Sequence, residues 1–203
     1  MKTLKKNLFA VVVSSSAFIS PIAIADTSDS GFYLTAGIGT GLETDIDGSI
    51  NGVNISATGR TTFGGGIGLG YDFDNNWRVE AGVARSTVNF KNVVVAGNQL
   101  DLDDNVDATA VLISAAYDFE NDSKITPYIE GSYTIAWSDD ADDSASGYGL
   151  NFGLSTPVSD EVELWGAVGL SFSSDQTENI EDISVSVDGG TEWGFSTGLR
   201  IRL

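Results

Sequence analysis

Residues 191–203, TEWGFSTGLRIRL, alternate with a period of two. Trp193, Phe195, Thr197, Leu199, Ile201 and Leu203 fall on one face of an extended strand, and Glu192, Gly194, Ser196, Gly198, Arg200 and Arg202 fall on the other. A strand with a wide apolar face and charges opposite, running to the terminal residue, fits the closing strand of a barrel whose apolar side meets lipid. That reading requires seven further strands upstream.

The chain supplies them. Residues 31–40 place Phe32, Leu34, Ala36 and Ile38 against Tyr33, Thr35, Gly37 and Gly39. Residues 60–73 place Phe63, Gly65, Ile67, Leu69, Tyr71 and Phe73 against a row dominated by Gly64, Gly66, Gly68 and Gly70. Residues 77–86 set Trp77, Val79, Ala81 and Val83 against Arg78, Glu80, Gly82 and Ala84. The same split recurs in 108–119, 127–137, 147–158 and a seventh strand from Val162 to Phe172, where Trp165 falls unexpectedly on the polar face.

Connections alternate in length. Turns at 74–76, 120–124 and 159–161 are short, whereas 41–58, 87–107, 138–146 and 173–190 are mostly long and polar. Ten residues at about 3.3 Å each, tilted roughly 40°, span about 25 Å, the height of a lipid-facing band. The fold class expected is therefore all-β: an eight-stranded antiparallel up-and-down transmembrane β-barrel with short periplasmic turns and long acidic extracellular loops. Parts of those loops still alternate. Asn51-Gly52 suits a type I′ hairpin tip and a second tip is expected at 96–98. Ile183, Val185 and Val187 are expected to extend the eighth strand, so that β-structure continues past the membrane as a protruding sheet.

Alternation alone does not separate a lipid-facing barrel from a soluble one with an apolar core. Glycine on the polar face suits the cramped interior of an eight-stranded barrel, and the apolar face carries aromatics near both strand ends. Tyr71, Phe73, Trp77, Tyr117 and Phe119 would form one belt, and Trp137, Tyr148, Phe172 and Trp193 the other. With that orientation Arg78, Glu80, Glu130, Glu163, Arg200 and Arg202 cluster inside the short-turn end, joined at the rim by Asp72 and Asp118. Buried charges must pair, so a salt-bridge plug is expected there, with a gate or narrow pore as the functional alternative. Arg60 and Glu192 would form a smaller layer at the other end.

Composition narrows the function. Lys and Arg total 10 against 29 Asp and Glu, which argues against a nucleic-acid partner. Lys2, Lys5 and Lys6 precede the apolar run 8–13, and Ala23-Ile24-Ala25 reads as a signal-peptidase site, so residues 1–25 are expected to be a signal peptide and 26–203 the barrel domain. Losing the leader leaves 7 basic against 29 acidic residues, a net charge of −22. Cysteine and histidine are both absent, which removes disulfides and the usual general base. No enzyme activity and no cofactor are expected. Asp101, Asp103, Asp104 and Asp107, and again Asp139, Asp140, Asp142 and Asp143, form acidic runs; the second is a weak candidate for divalent cations, and solvated acidic surface is the plainer reading.

The opening Gly-Phe-Tyr-Leu-Thr-Ala-Gly, the run Gly-Leu-Gly-Tyr-Asp-Phe followed by a turn and Trp-Arg-Val-Glu-Ala-Gly, and the alternating last strand resemble the small outer-membrane β-barrel family that includes opacity-type, OmpX-like and OmpA-barrel proteins. The resemblance implies a monomer in the Gram-negative outer membrane, with lipid and the barrel-assembly machinery as partners. Relatives usually end in an aromatic residue that this machinery reads, where this chain has Leu203, and no wall-tethering domain is expected. The function expected is a non-enzymatic surface barrel, structural or adhesive through its acidic loops, with a host or matrix surface as the partner. The alternative is a narrow channel for ions or small solutes.

Overall fold

A computed structural model describes residues 30–42, 44–73, 75–95, 98–100, 104–138, 144–180 and 183–203. The expected signal peptide, 1–25, and Asp101, Asp103, Asp139, Asp140, Asp142 and Asp143 lie outside these residues. The described chain is all-β, with twelve strands in order: β1 Gly31–Gly41, β2 Thr44–Ile50, β3 Val53–Asp72, β4 Trp77–Val95, β5 Asn98–Leu100, β6 Asp104–Asp118, β7 Thr126–Ser138, β8 Ser144–Pro157, β9 Val162–Ser173, β10 Gln176–Ile180, β11 Ile183–Val187 and β12 Thr191–Arg202.

Eight of them close on themselves in the order β3-β1-β12-β9-β8-β7-β6-β4, and a β3–β4 pairing completes the ring. Every adjacent pair is antiparallel. Stepping across the hydrogen-bonded partners, Gly31 leads to Asp72, Arg78, Ala116, Glu130, Asn151, Gly169 and Gly194, and the circuit re-enters β1 at Gly41, ten residues from its start. That stagger fixes the strand tilt at about 40° and leaves an interior wide enough for side chains and little more.

The distribution of residue types is inverted relative to a water-soluble barrel. Ile67, Leu69, Val83, Ile113, Phe152 and Leu199 are exposed on the outer wall, while Arg78 and Glu130 are only 2% and 1% exposed within. A soluble barrel would bury the former and solvate the latter. Aromatic rings mark both edges of the apolar band. At the short-turn end Phe32, Tyr71 and Phe73 meet edge to face at 4.9 and 5.0 Å, and Trp77, Tyr117 and Phe119 do so at 5.3 and 5.4 Å. Near the other edge Tyr133 and Tyr148 lie 5.2 Å apart.

The short turns are made by their own side chains. Asn76 takes a positive φ of 66°, and the Phe73 N–H donates to the Trp77 carbonyl at 2.9 Å. Asn121 donates through Nδ2 to the carbonyls of Phe119 and Ile125 and accepts from the Ser123 N–H at 2.7 Å. Ser159 Oγ accepts from the Val162 N–H at 3.1 Å. These asparagine and serine contacts substitute for ladder hydrogen bonds where the chain reverses.

On the opposite side the wall continues past the band. β3 and β4 stay paired up to Ile55↔Val95, with irregularities between Arg60 and Phe63 and between Ser56 and Thr58 that re-aim the strands. β2 folds back on β3 through a tip with φ of 48° at Asn51 and 77° at Gly52, the left-handed pair that a type I′ turn needs. β5 returns on β4 from Val95↔Asn98, beside the expected second tip. One expectation is corrected: residues 183–187 do not prolong the last strand. They form a separate β11 that hairpins with β10 and pairs with β2, because Asp188, Gly189 and Gly190 interrupt the ladder before β12. Gly189 donates its N–H to Asp175 and Gly190 to the Ser173 hydroxyl, so both N–H groups are used in turning the chain.

Candidate functional site

The charged interior lies toward the short-turn end, and its occupants come from β1, β3, β4, β6, β7, β8, β9 and β12. Inward positions alternate with lipid-facing ones, so each strand contributes only every second residue. Arg78 on β4 is ion-paired with both carboxylate oxygens of Asp118 at the end of β6. Its direct cross-strand partner is Asp72, so the ion pair is made instead to the strand on the other side. The guanidinium also lies 5.1 Å from the centroid of the Tyr128 ring. Arg200 on β12 donates to Glu163 Oε2 on β9 at 2.7 Å, directly across the ladder, and stands 4.8 Å over the Tyr33 ring.

Glu130 is satisfied differently. It accepts from Asn151 Nδ2 at 3.0 Å and from the Ser114 hydroxyl at 3.3 Å. Glu80 is buried in the same row as Gly70 and Tyr33. Arg202 is half-buried at the rim, where its backbone N–H donates to the Glu161 carbonyl at 2.9 Å. Of the six residues singled out in the sequence, Arg200 and Glu163 pair with each other; Arg78 reaches the rim carboxylate Asp118, and Glu130 is held by neutral donors. At the opposite end Glu192 accepts from the Thr62 hydroxyl at 3.5 Å, while the Arg60 side chain lies outside the described residues. Among the described residues no group of three or more Asp or Glu is placed to hold a metal ion.

Sequence reasoning read the inward glycines as suited to a cramped interior but did not match any of them with the side chain that uses its space. The Tyr33 ring lies over Gly70, Tyr128 over Gly153, Asn151 over Gly169 and Ser132 over Gly149, and in each case a Cβ would collide with the neighbour. All four are direct ladder pairs, so each large side chain lies sideways across the next strand. The unexpected Trp165 is 1% exposed and lies across Gly198 and Gly37 in the same manner. Its packing against Tyr128 and Ala167 fills the middle of the barrel. The signal was present in the glycine-rich inner rows, but register was needed to match each notch with its occupant.

The arrangement seats alternating charges, cation–π contacts and aromatic rings within a narrow bore. It contains no histidine or cysteine.

Residues 9–154 match the family described as the outer membrane protein beta-barrel domain. Outer membrane protein PagN of Salmonella typhimurium is 26% identical over 199 residues, covering 86% of this chain and 80% of PagN. Among solved structures, Neisserial surface protein A aligns with a TM-score of 0.53 at 18% identity, covering 87% of this chain and all of that one. Outer membrane protein AlkL aligns with a TM-score of 0.54 at 14% identity, over 91% and 97% of the two chains. At those identities the two structures report a shared fold. The closed eight-strand ring, the lipid-facing apolar band and the match over most of the sequence agree: this chain belongs to the outer membrane protein β-barrel family.

Proposed function

We propose that this protein is a non-enzymatic surface barrel, structural or adhesive, that acts through the part of its wall standing beyond the outer leaflet. The observation that carries this reading is the extension itself. β10, β11, β2, the outer part of β3, the outer part of β4 and β5 are joined edge to edge by backbone hydrogen bonds. Pairing of this kind presents a surface in a set geometry, which contact with a partner favours and free loops do not supply. The acidic connections would add a negative surface suited to a cationic partner or to divalent cations bridging to an anionic one.

The bore supports the same reading. Arg78–Asp118, Arg200–Glu163 and the rings of Tyr33, Tyr128 and Trp165 occupy the space a conducting path would need. The absence of histidine and cysteine leaves acyl transfer without its usual general base.

The test combines conductance with adhesion. Folded protein in a planar bilayer is expected to be electrically silent. Bacteria displaying it are expected to bind host cells or matrix, and replacing residues 44–58 by a short turn is expected to abolish binding while the barrel still shows its heat-dependent gel shift. Discrete openings that change with Glu130→Gln, together with adhesion indifferent to the 44–58 replacement, would establish the channel alternative instead.

A further inference from the structure

The lipid-facing wall is apolar or weakly polar on every strand, with one break. Outward positions on β4 run Trp77, Val79, Ala81, Val83, Arg85, Thr87, and those on β6 include Asp107, Thr109, Val111 and Ile113. Among the described barrel-wall residues, Arg85 and Asp107 are the outward-facing charges. Their side chains are 59% and 46% exposed and meet at 3.4 Å, a long contact for an ion pair. Asp107 is held more closely by Thr87, whose hydroxyl donates to it at 2.6 Å.

Position decides what this guanidinium meets. Arg85 follows Trp77, in the inner aromatic belt, by eight positions on β4, which at about 3.3 Å per residue and a 40° tilt places it roughly 20 Å higher. That is the level of the outer belt, where headgroup phosphates lie. Its partner across the ladder is Gly65, which leaves a notch in the outer wall: from the place a Cβ would occupy, the nearest atoms are the Gly37 carbonyl at 3.4 Å and Ile38 Cγ2 at 3.6 Å. Phe63, Ile67 and Ile38, all more than half exposed, border the notch.

We propose that Arg85 and the Gly65 notch form a docking site for a phosphate-bearing lipid of the outer leaflet. The guanidinium takes the headgroup phosphate, for which its planar fork of donors is suited, and an acyl chain lies along Ile38, Phe63 and Ile67. Asp107 tempers the site, because its carboxylate competes with phosphate for the same guanidinium. The proposal needs only the barrel's place in the membrane and is independent of the adhesive reading.

The test uses the folded chain in dodecyl maltoside, titrated with diphosphorylated lipid A and with the same lipid stripped of phosphate, and reads bound lipid by native mass spectrometry. The phosphorylated lipid is expected to bind more tightly, and Arg85→Gln to weaken it about tenfold, as loss of a charge-assisted contact at an interface would. Asp107→Asn is expected to tighten binding, Gly65→Leu to weaken it by filling the notch, and Lys124→Gln, in a short turn at the opposite end, to change nothing. Equal binding of the two lipids, an unaffected Arg85→Gln, or displacement of the lipid by an equal concentration of inorganic pyrophosphate would overturn the proposal. Should Arg85→Gln fail to fold, Asp107→Asn decides, and unchanged or weaker binding then counts against the site.

Discussion

The indole of Trp165 on β9 lies across Gly37 of β1, so that a methyl group at Gly37 would stand 2.6 Å from Cζ2 and 2.8 Å from Cη2. Between them lies β12, whose Gly198 carries no side chain to block the ring. A tryptophan fits the bore because two neighbouring strands give up their side chains in its row. Gly37→Ala is therefore expected to lower stability by about 1–3 kcal/mol through overpacking, read as the urea midpoint in lipid vesicles. Gly131→Ala, where nothing stands within 4 Å of the added carbon, serves as the comparison and should leave the midpoint unchanged.

The Arg200–Glu163 pair is almost wholly buried, with side chains 3% and 8% exposed. Removing one partner takes from the other the charge it faces across the ladder, so Arg200→Met is expected to cost about 3–5 kcal/mol. Arg200→Met combined with Glu163→Leu should recover much of that loss, since a packed apolar pair avoids the desolvation both charges suffer. Urea titrations of the wild type, the two single variants and the double variant close the double-mutant cycle. Additive losses would show that the pair is not coupled.

Tryptophan positions separate inside from outside without any change in stability. Trp77, Trp137 and Trp193 are exposed on the outer wall and Trp165 is enclosed. In vesicles of brominated lipid, variants retaining one of the first three are expected to be quenched. The variant retaining Trp165 alone should keep its fluorescence, and quenching equal to the others would place that ring in lipid.

Gly52 tests whether the extension depends on its turn. With φ of 77° and open space around it, Gly52→Ala meets no clash and pays only for the left-handed backbone, about 1 kcal/mol. Amide exchange should quicken in β2, Thr44–Ile50, and stay slow in the barrel strands. Faster exchange throughout would mean that extension and barrel open as one unit.

The barrel was legible because period-two alternation is a local property. Ile67 and Gly68, or Leu199 and Arg200, need no distant information to be assigned to opposite faces. The inward location of Arg78, Glu80, Glu130, Glu163, Arg200 and Trp165 could be read for the same reason. Pairing was less legible. Arg200 and Glu163 meet because β9 and β12 are neighbours in register, whereas Arg78 passes its direct neighbour Asp72 for Asp118 on the far side. Residues 183–187 show the opposite error: their alternation suits a strand but carries nothing about which strand it joins, and the break at 188–190 sends them to β2.

By itself, then, the sequence determined which residues face lipid, which face inward, and at which end the charges gather, since alternation and turn chemistry act over a few residues. Only the tertiary structure decided who meets whom. The ten-residue stagger of the closed ring sets one strand's glycine beside another's tryptophan, chooses a carboxylate for each arginine, and leaves Arg85 beside the empty outer face of Gly65. Register is a property of the whole ring: every strand must close against its neighbours at once, and no local stretch encodes that sum.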